Sequence, residues 1–290
     1  MPLPHRSIGK LVVVTWVAAC LHPDLNAADQ DVKEVLDKAQ SAWRQGDLKT
    51  AEAEAERAAA LAPKDGMVYI VQGRILADAG KPEKAVAAYS RALELDPSRT
   101  GIYQWRGSEQ FKLGHIQESI HDFDAFLKDR PDQAPHHWQR GISYYYAGQY
   151  KEGRAQFELH QKVNAHDVEN AVWHFLCVAA VEGSDKAREA LIPITGDSRV
   201  PMAEVYALFA GQGAAEEVLS AVEKGEVSAE RRRQHLFYAR LYLGLYYEAT
   251  KDKEKCREHI LKAAELSDAG NYMGAVARVH AARLKGESTP

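Results

Sequence analysis

The chain has 290 residues, 46% of them hydrophobic and 27% charged, an ordinary globular composition long enough to bury a sizeable core. Its net charge of −4 offers no field for nucleic acid, and Arg231, Arg232 and Arg233 form a local basic cluster of the kind usual on a solvated helix face. These values exclude a chain disordered beyond its ends and a nucleic-acid-binding protein.

In chain order, Arg6 and Lys10 precede an apolar stretch of eleven residues from Leu11 to Leu21. A membrane span needs about 20 residues, so this length suits a secretory signal. Three outcomes stay open. Cleavage after Ala27 or Ala28 removes a leader of 1–28 and releases a soluble product. Use of Val17-Ala18-Ala19-Cys20 as a lipobox removes 1–19 and leaves Cys20 lipidated, so that the membrane is reached through a lipid anchor alone. The third is an uncleaved anchor. Each places the protein outside the cytoplasm, in the periplasm or cell envelope. Of the cysteines beyond the leader, Cys177 and Cys256 fall at inward helical positions and are expected as buried free thiols.

Gly46, Gly80, Gly114 and Gly148 follow at a constant step of 34 residues, and Gly73, Gly107 and Gly141 keep the same step. Pro63, Pro97 and Pro131 do so as well. A fixed period of this length predicts an array of helical hairpins. The units are 32–65, 66–99, 100–133 and 134–167. The first glycine set sits where each first helix ends, in a position suited to positive φ. The second allows the two helices of a hairpin to approach closely, and each proline stops the second helix. Small residues at positions 8, 20 and 27, a large one at 24 and proline at 32 resemble the tetratricopeptide repeat. Unit two fits throughout, with Gly73, Ala85, Tyr89, Ala92 and Pro97; unit one has Ala39, Ala51, Ala58 and Pro63. In unit three Ser119 and Phe126 depart from the small positions, and in unit four His160 and Ala165 depart at 27 and 32.

Beyond residue 167 the spacing loosens. Residues 168–191 predict two helices broken at Gly183, 201–222 two shorter ones broken near Gly211 and Gly213, and 231–267 a restored hairpin around Gly244. From Gly141 to Gly244 is 103 residues, one more than three repeats, so the irregular middle takes the place of two degenerate units. Residues 271–285 are expected as a final solvating helix. The resulting organisation is a leader, four regular units over 29–167, degenerate helical repeats over 168–236, and a hairpin with a capping helix over 237–285. The fold class is all-α, a right-handed superhelical solenoid of tetratricopeptide hairpins.

A solenoid of this kind exposes its first helices on a concave face, and the repeat resemblance implies peptide contacts at positions 2, 5, 9, 12 and 13. Arg74, Gln104, Phe111, Trp138 and Tyr145 are therefore the expected partner-binding residues, for a protein or peptide with apolar anchors. Tyr144, Tyr145 and Tyr146 cannot share one face, so at least one belongs to the core. The lysine and asparagine of a chaperone-type carboxylate clamp are absent, since Leu36 and Gln40, or Ile70 and Arg74, stand at those positions.

No cofactor motif is present. Gly211-Gln212-Gly213 lacks a preceding strand and is a helix break rather than a dinucleotide loop. The alternative to a scaffold is a metal-dependent enzyme centred on His160, His166 and His174, although their spacing matches no ligand motif. Asp167 is expected to cap the helix that starts at Val168, and His174 to bond Asn170.

Residues 140–150, 172–191 and 241–266 are similar to the NlpI family of envelope lipoproteins. That likeness implies an all-helical, dimeric adaptor on the outer membrane that brings a protease and peptidoglycan hydrolases together, and it implies a lipid on Cys20. The expected function is a non-enzymatic scaffold of the bacterial envelope.

Overall fold

A computed structural model describes residues 23–268 and 270–286. Residues 1–22, Cys20 among them, lie outside the described residues, while residues 23–28 of the expected leader form the start of the first helix. All regular structure among the described residues is helical. Four hairpins come first: α1 (Pro23–Arg44) with α2 (Leu48–Leu61), α3 (Gly66–Asp78) with α4 (Pro82–Leu95), α5 (Gly101–Lys112) with α6 (Ile116–Asp129), and α7 (Trp138–Tyr146) with α8 (Tyr150–His160). A 3-10 turn, Pro131–His136, lies between α6 and α7. Each helix packs on the next in sequence, which is the stacking that makes a right-handed solenoid.

The repeat geometry is carried by one contact. A Cβ added at Gly73 would lie 2.5 Å from Tyr89, one at Gly107 2.9 Å from Phe123, and one at Gly141 2.7 Å from Phe157. Each partner stands sixteen residues on in the sequence, so the same glycine-to-ring approach seats α4 on α3, α6 on α5 and α8 on α7. Gly244 repeats it with Ile260 at 2.6 Å, which makes the late hairpin of α13 (Ala229–Ala249) and α14 (Lys253–Leu266) a unit of the same build. The turn glycines Gly46, Gly80, Gly114 and Gly148 all have positive φ, between 69° and 78°. In the late hairpin Lys251 takes that place, at φ 66°.

Between these regular parts lie α9 (Val168–Glu182), α10 (Ser184–Glu189), α11 (Met202–Phe209) and α12 (Ala215–Glu223). The breaks fall at Gly183 and around Gly211–Gly213, as expected. Asp167 caps α9, its Oδ1 accepting from the Glu169 N–H at 3.1 Å. Cys177 and Cys256 are free and buried.

The last helix, α15 (Tyr272–Lys285), differs from expectation. It is a core helix, not a solvating one: Met273, Val276, Ala277, Val279 and His280 are all buried. Besides α14 it packs against α5, more than 150 residues earlier in the chain. The largest apolar core consequently runs from Phe111 to Ala281, continuous across residues 167 and 236.

Candidate functional site

Residues three and four apart on a first helix share its inner face, so α1, α3, α5 and α7 together build one concave surface. The chain divides this surface into two halves.

The half formed by α1, α3 and the start of α5 is uncovered. Met67 is 42% and Trp105 38% exposed there. Arg74 is also exposed, and its guanidinium carbon lies 4.6 Å from the Trp43 ring centre and 5.3 Å from that of Trp105. The Trp43 ring is itself fixed, because its Nε1–H donates to Asp78 Oδ2 at 2.7 Å, one helical turn beyond Arg74. Trp43, Arg74 and Trp105 follow at steps of 31, a repeat length less about one turn of helix, which brings three successive units into one stack. That spacing was the available signal for Trp43 and Trp105.

The half formed by the end of α5 and α7 is filled by the chain itself. Tyr272 of α15 stacks on Phe111 at 5.1 Å and meets Trp138 edge-on at 5.1 Å. The Tyr146 hydroxyl and His280 Nδ1 are 3.0 Å apart, and the Tyr145 hydroxyl donates to Glu248 Oε2 at 2.6 Å. Burial holds the hydroxyls of Tyr145, Tyr146 and Tyr272 well above the usual phenol range and pushes His280 down.

The five expected binding residues thus part company. Arg74 lies on the uncovered half. Gln104 is half-buried and occupied: it donates to Gln139 Oε1 at 2.7 Å while its own oxygen bonds His137 Nε2. Trp138 is half-buried against Tyr272. Phe111 and Tyr145, expected on the partner surface, are fully buried and 5% exposed. The first lies under α15 and the second against Trp173 and Glu248, so both contact the chain's own helices. Tyr145 and Tyr146 are both core, and Tyr144 is the outward member of the trio, bonded to Asp124.

The polar cluster of 160–174 is dispersed into separate structural roles. His160 Nδ1 lies 2.8 Å from the Pro135 carbonyl, and His166 Nδ1 2.5 Å from that of Thr195. His174 pairs with Glu158 at 3.4 Å, not with Asn170, whose amide donates to the Phe157 carbonyl and to Gln161. Among the described residues no three His, Cys, Asp or Glu side chains gather to hold a metal ion. His160, Asp167, Glu169 and Trp173 instead line a cavity of about 600 Å³ beside Arg199 and Tyr238. Arg199 there binds Asp167 and Asp197 at 2.6 Å each and Glu169 at 2.5 Å. Burial raises the Glu169 carboxyl above its ordinary range, against the opposing bonds from Tyr242 and Arg199. The guanidinium is committed to three carboxylates, a structural clamp across the loop before α11.

A tetratricopeptide repeat model matches residues 36–100 and 106–164. The regular units are therefore tetratricopeptide repeats. Among solved structures, that of MamA protein is 15% identical, with 68% of this chain and 98% of that chain covered at a TM-score of 0.52. A tetratricopeptide repeat protein from Parabacteroides merdae ATCC 43184 is 19% identical, with 89% of this chain and all of that chain (100%) covered at 0.56. At these identities the likeness is one of fold. No helix among the described residues is long and apolar enough to cross a membrane.

Proposed function

We propose that this protein is a non-catalytic adaptor of the cell envelope that holds a partner protein through the uncovered half of its concave face. The observation that carries this reading is the exposed apolar pair Met67 and Trp105 on the same inner surface as Arg74, whereas further along that surface α15 packs against Phe111 and Trp138. Aromatic and arginine side chains dominate binding energy at protein interfaces, and a preformed solenoid groove spares the protein its own ordering cost. The leader pattern and the likeness to envelope lipoproteins support export and a lipid on Cys20. The same likeness supports a homodimer made by the irregular half.

The test is capture from an envelope extract with wild type and a Met67→Glu, Trp105→Ala double variant. The helices should stay formed, while loss of the Trp105 contacts with Arg74 and Tyr89 should lower the melting point by only a few degrees. The variant should retain less than a tenth of the captured partner. Equal capture by both proteins would refute the groove assignment.

A further inference from the structure

The cavity beside Arg199 lies where the last regular unit meets the C-terminal helices. Trp138 of α7, His160 of α8, Asn170 and Trp173 of α9, Tyr238 of α13 and Tyr272 of α15 all line it. Its volume of about 600 Å³ falls among small-molecule sites, which run from roughly 300 to 1,000 Å³. The charges at its edge are engaged with one another. Asp167, Glu169 and Asp197 close on Arg199, and the same carboxylates accept from Asn164, Tyr242 and the Val168 N–H. A neutral occupant leaves that clamp intact. Because three carboxylates face one guanidinium, a cationic amine is the rival occupant.

Two neutral side chains of the wall are not satisfied. Asn170 and Trp173 are 3% and 2% exposed, and among the described residues Asn170 Oδ1 and Trp173 Nε1–H find no hydrogen-bond partner. The asparagine is fixed in orientation, since its amide nitrogen donates to the Phe157 carbonyl and to Gln161 Oε1 and only its oxygen is left over. The two residues stand three apart on α9 and so share a face. A buried acceptor and a buried donor are answered together by a group with both an N–H and a C=O, which is a secondary amide. The rings of the wall are themselves held: Trp138 meets Tyr272 edge-on at 5.1 Å, and Tyr238 lies parallel to Tyr242 at 6.4 Å. Polar His160, Asn164 and Asn271 line the cavity alongside them. A pyranose divides in the same way, with C–H groups that settle on the negative face of an aromatic ring and hydroxyls around its edge. We propose that this cavity binds an N-acetylated amino sugar, its acetamido group answered by Asn170 and Trp173 and its ring lying against the aromatic wall. The site is separate from the uncovered concave half and does not rest on the groove reading.

The test is a titration of the full chain followed by calorimetry and by the indole N–H signals in nuclear magnetic resonance. The probes are triacetylchitotriose, cellotriose as the same ring without the amide, glucosamine as the cation, and N-acetylalanine methylamide as the amide without the sugar. Triacetylchitotriose should bind with a Kd of about 1 mM or tighter and shift the Trp173 indole signal. The other three should bind at least about tenfold more weakly, the difference of one hydrogen bond or one ring contact. Trp173→Phe keeps a ring, removes the unpartnered N–H and should weaken triacetylchitotriose about tenfold at retained helicity. Tyr238→Leu, at a half-buried position of the wall, should weaken it several-fold and serves if the first variant does not fold. The inference fails if triacetylchitotriose does not bind by about 20 mM, well beyond a millimolar site. It fails equally if cellotriose, glucosamine or the methylamide binds as tightly, if the Trp173 signal stays in place, or if a folded variant binds as the wild type does.

Discussion

His137 shows how a single side chain ties a helix start to the groove. It caps α7, its Nδ1 accepting from the Arg140 N–H at 3.3 Å, while Nε2 bonds the Gln104 oxygen and the ring lies edge-on to Phe123 at 4.5 Å. Those partners require the neutral ring with its proton on Nε2. Burial, with the Arg140 charge adding to it, lowers its pKa to about 4, against 6.5 for a free histidine. The unfolded chain therefore binds the extra proton between pH 6.5 and 4, and stability falls as the pH drops through that window. His137→Asn keeps a capping acceptor and removes the titration. Urea unfolding should show the variant losing about 2 kcal/mol less than wild type between pH 7 and pH 5. Lys251 is a second residue with a distinct cost, since a side chain at φ 66° is strained where the earlier turns use glycine. Lys251→Gly should raise stability by about 0.5–1 kcal/mol, read as a higher urea midpoint at unchanged m-value. This position also explains why the glycine step of 34 residues does not reappear at the turn of the late hairpin. The turn persists in the late hairpin, but the residue that announced it elsewhere has changed.

At the scale of elements, the helices of the regular units were legible because each carries its own local signal. Gly73, Gly107 and Gly141 face a ring sixteen residues on, so period and packing coincide within one hairpin. The role of α15 was not legible, because the contact that defines it joins Tyr272 to Phe111 across the length of the array. Its own run, Met273-Gly274-Ala275-Val276-Ala277, is small and apolar all round, which suits burial without indicating where. Phe111 and Trp138 both meet Tyr272 of α15, a contact that no pattern local to α5 or α7 announces. Tyr272→Ala would remove both ring contacts and leave a cavity between α5, α7 and α15. It should cost about 3–5 kcal/mol in chemical unfolding. A loss under 1 kcal/mol would mean that α15 is loosely seated.

At the scale of the whole molecule, the solenoid packs its own C-terminal helix against one part of its concave surface and leaves Met67, Arg74 and Trp105 exposed on the other, the part we propose holds a partner. The three histidines that suggested a metal site in one dimension are drawn apart by α8, α9 and the loop before α11. Each answers a separate polar group. The stack of Trp43, Arg74 and Trp105 went the other way: three residues from three units, unconnected by any short motif, converge because the superhelix advances by less than a repeat per contact. The division of the groove is read by hydrogen–deuterium exchange on the protein alone and in complex with the partner it captures. New protection is expected in α3 and α5 on binding, with the exchange of α15 unchanged. Faster exchange in α15 on binding, or protection confined to α9–α14, would contradict it, because the partner would then displace the helix or bypass the open half.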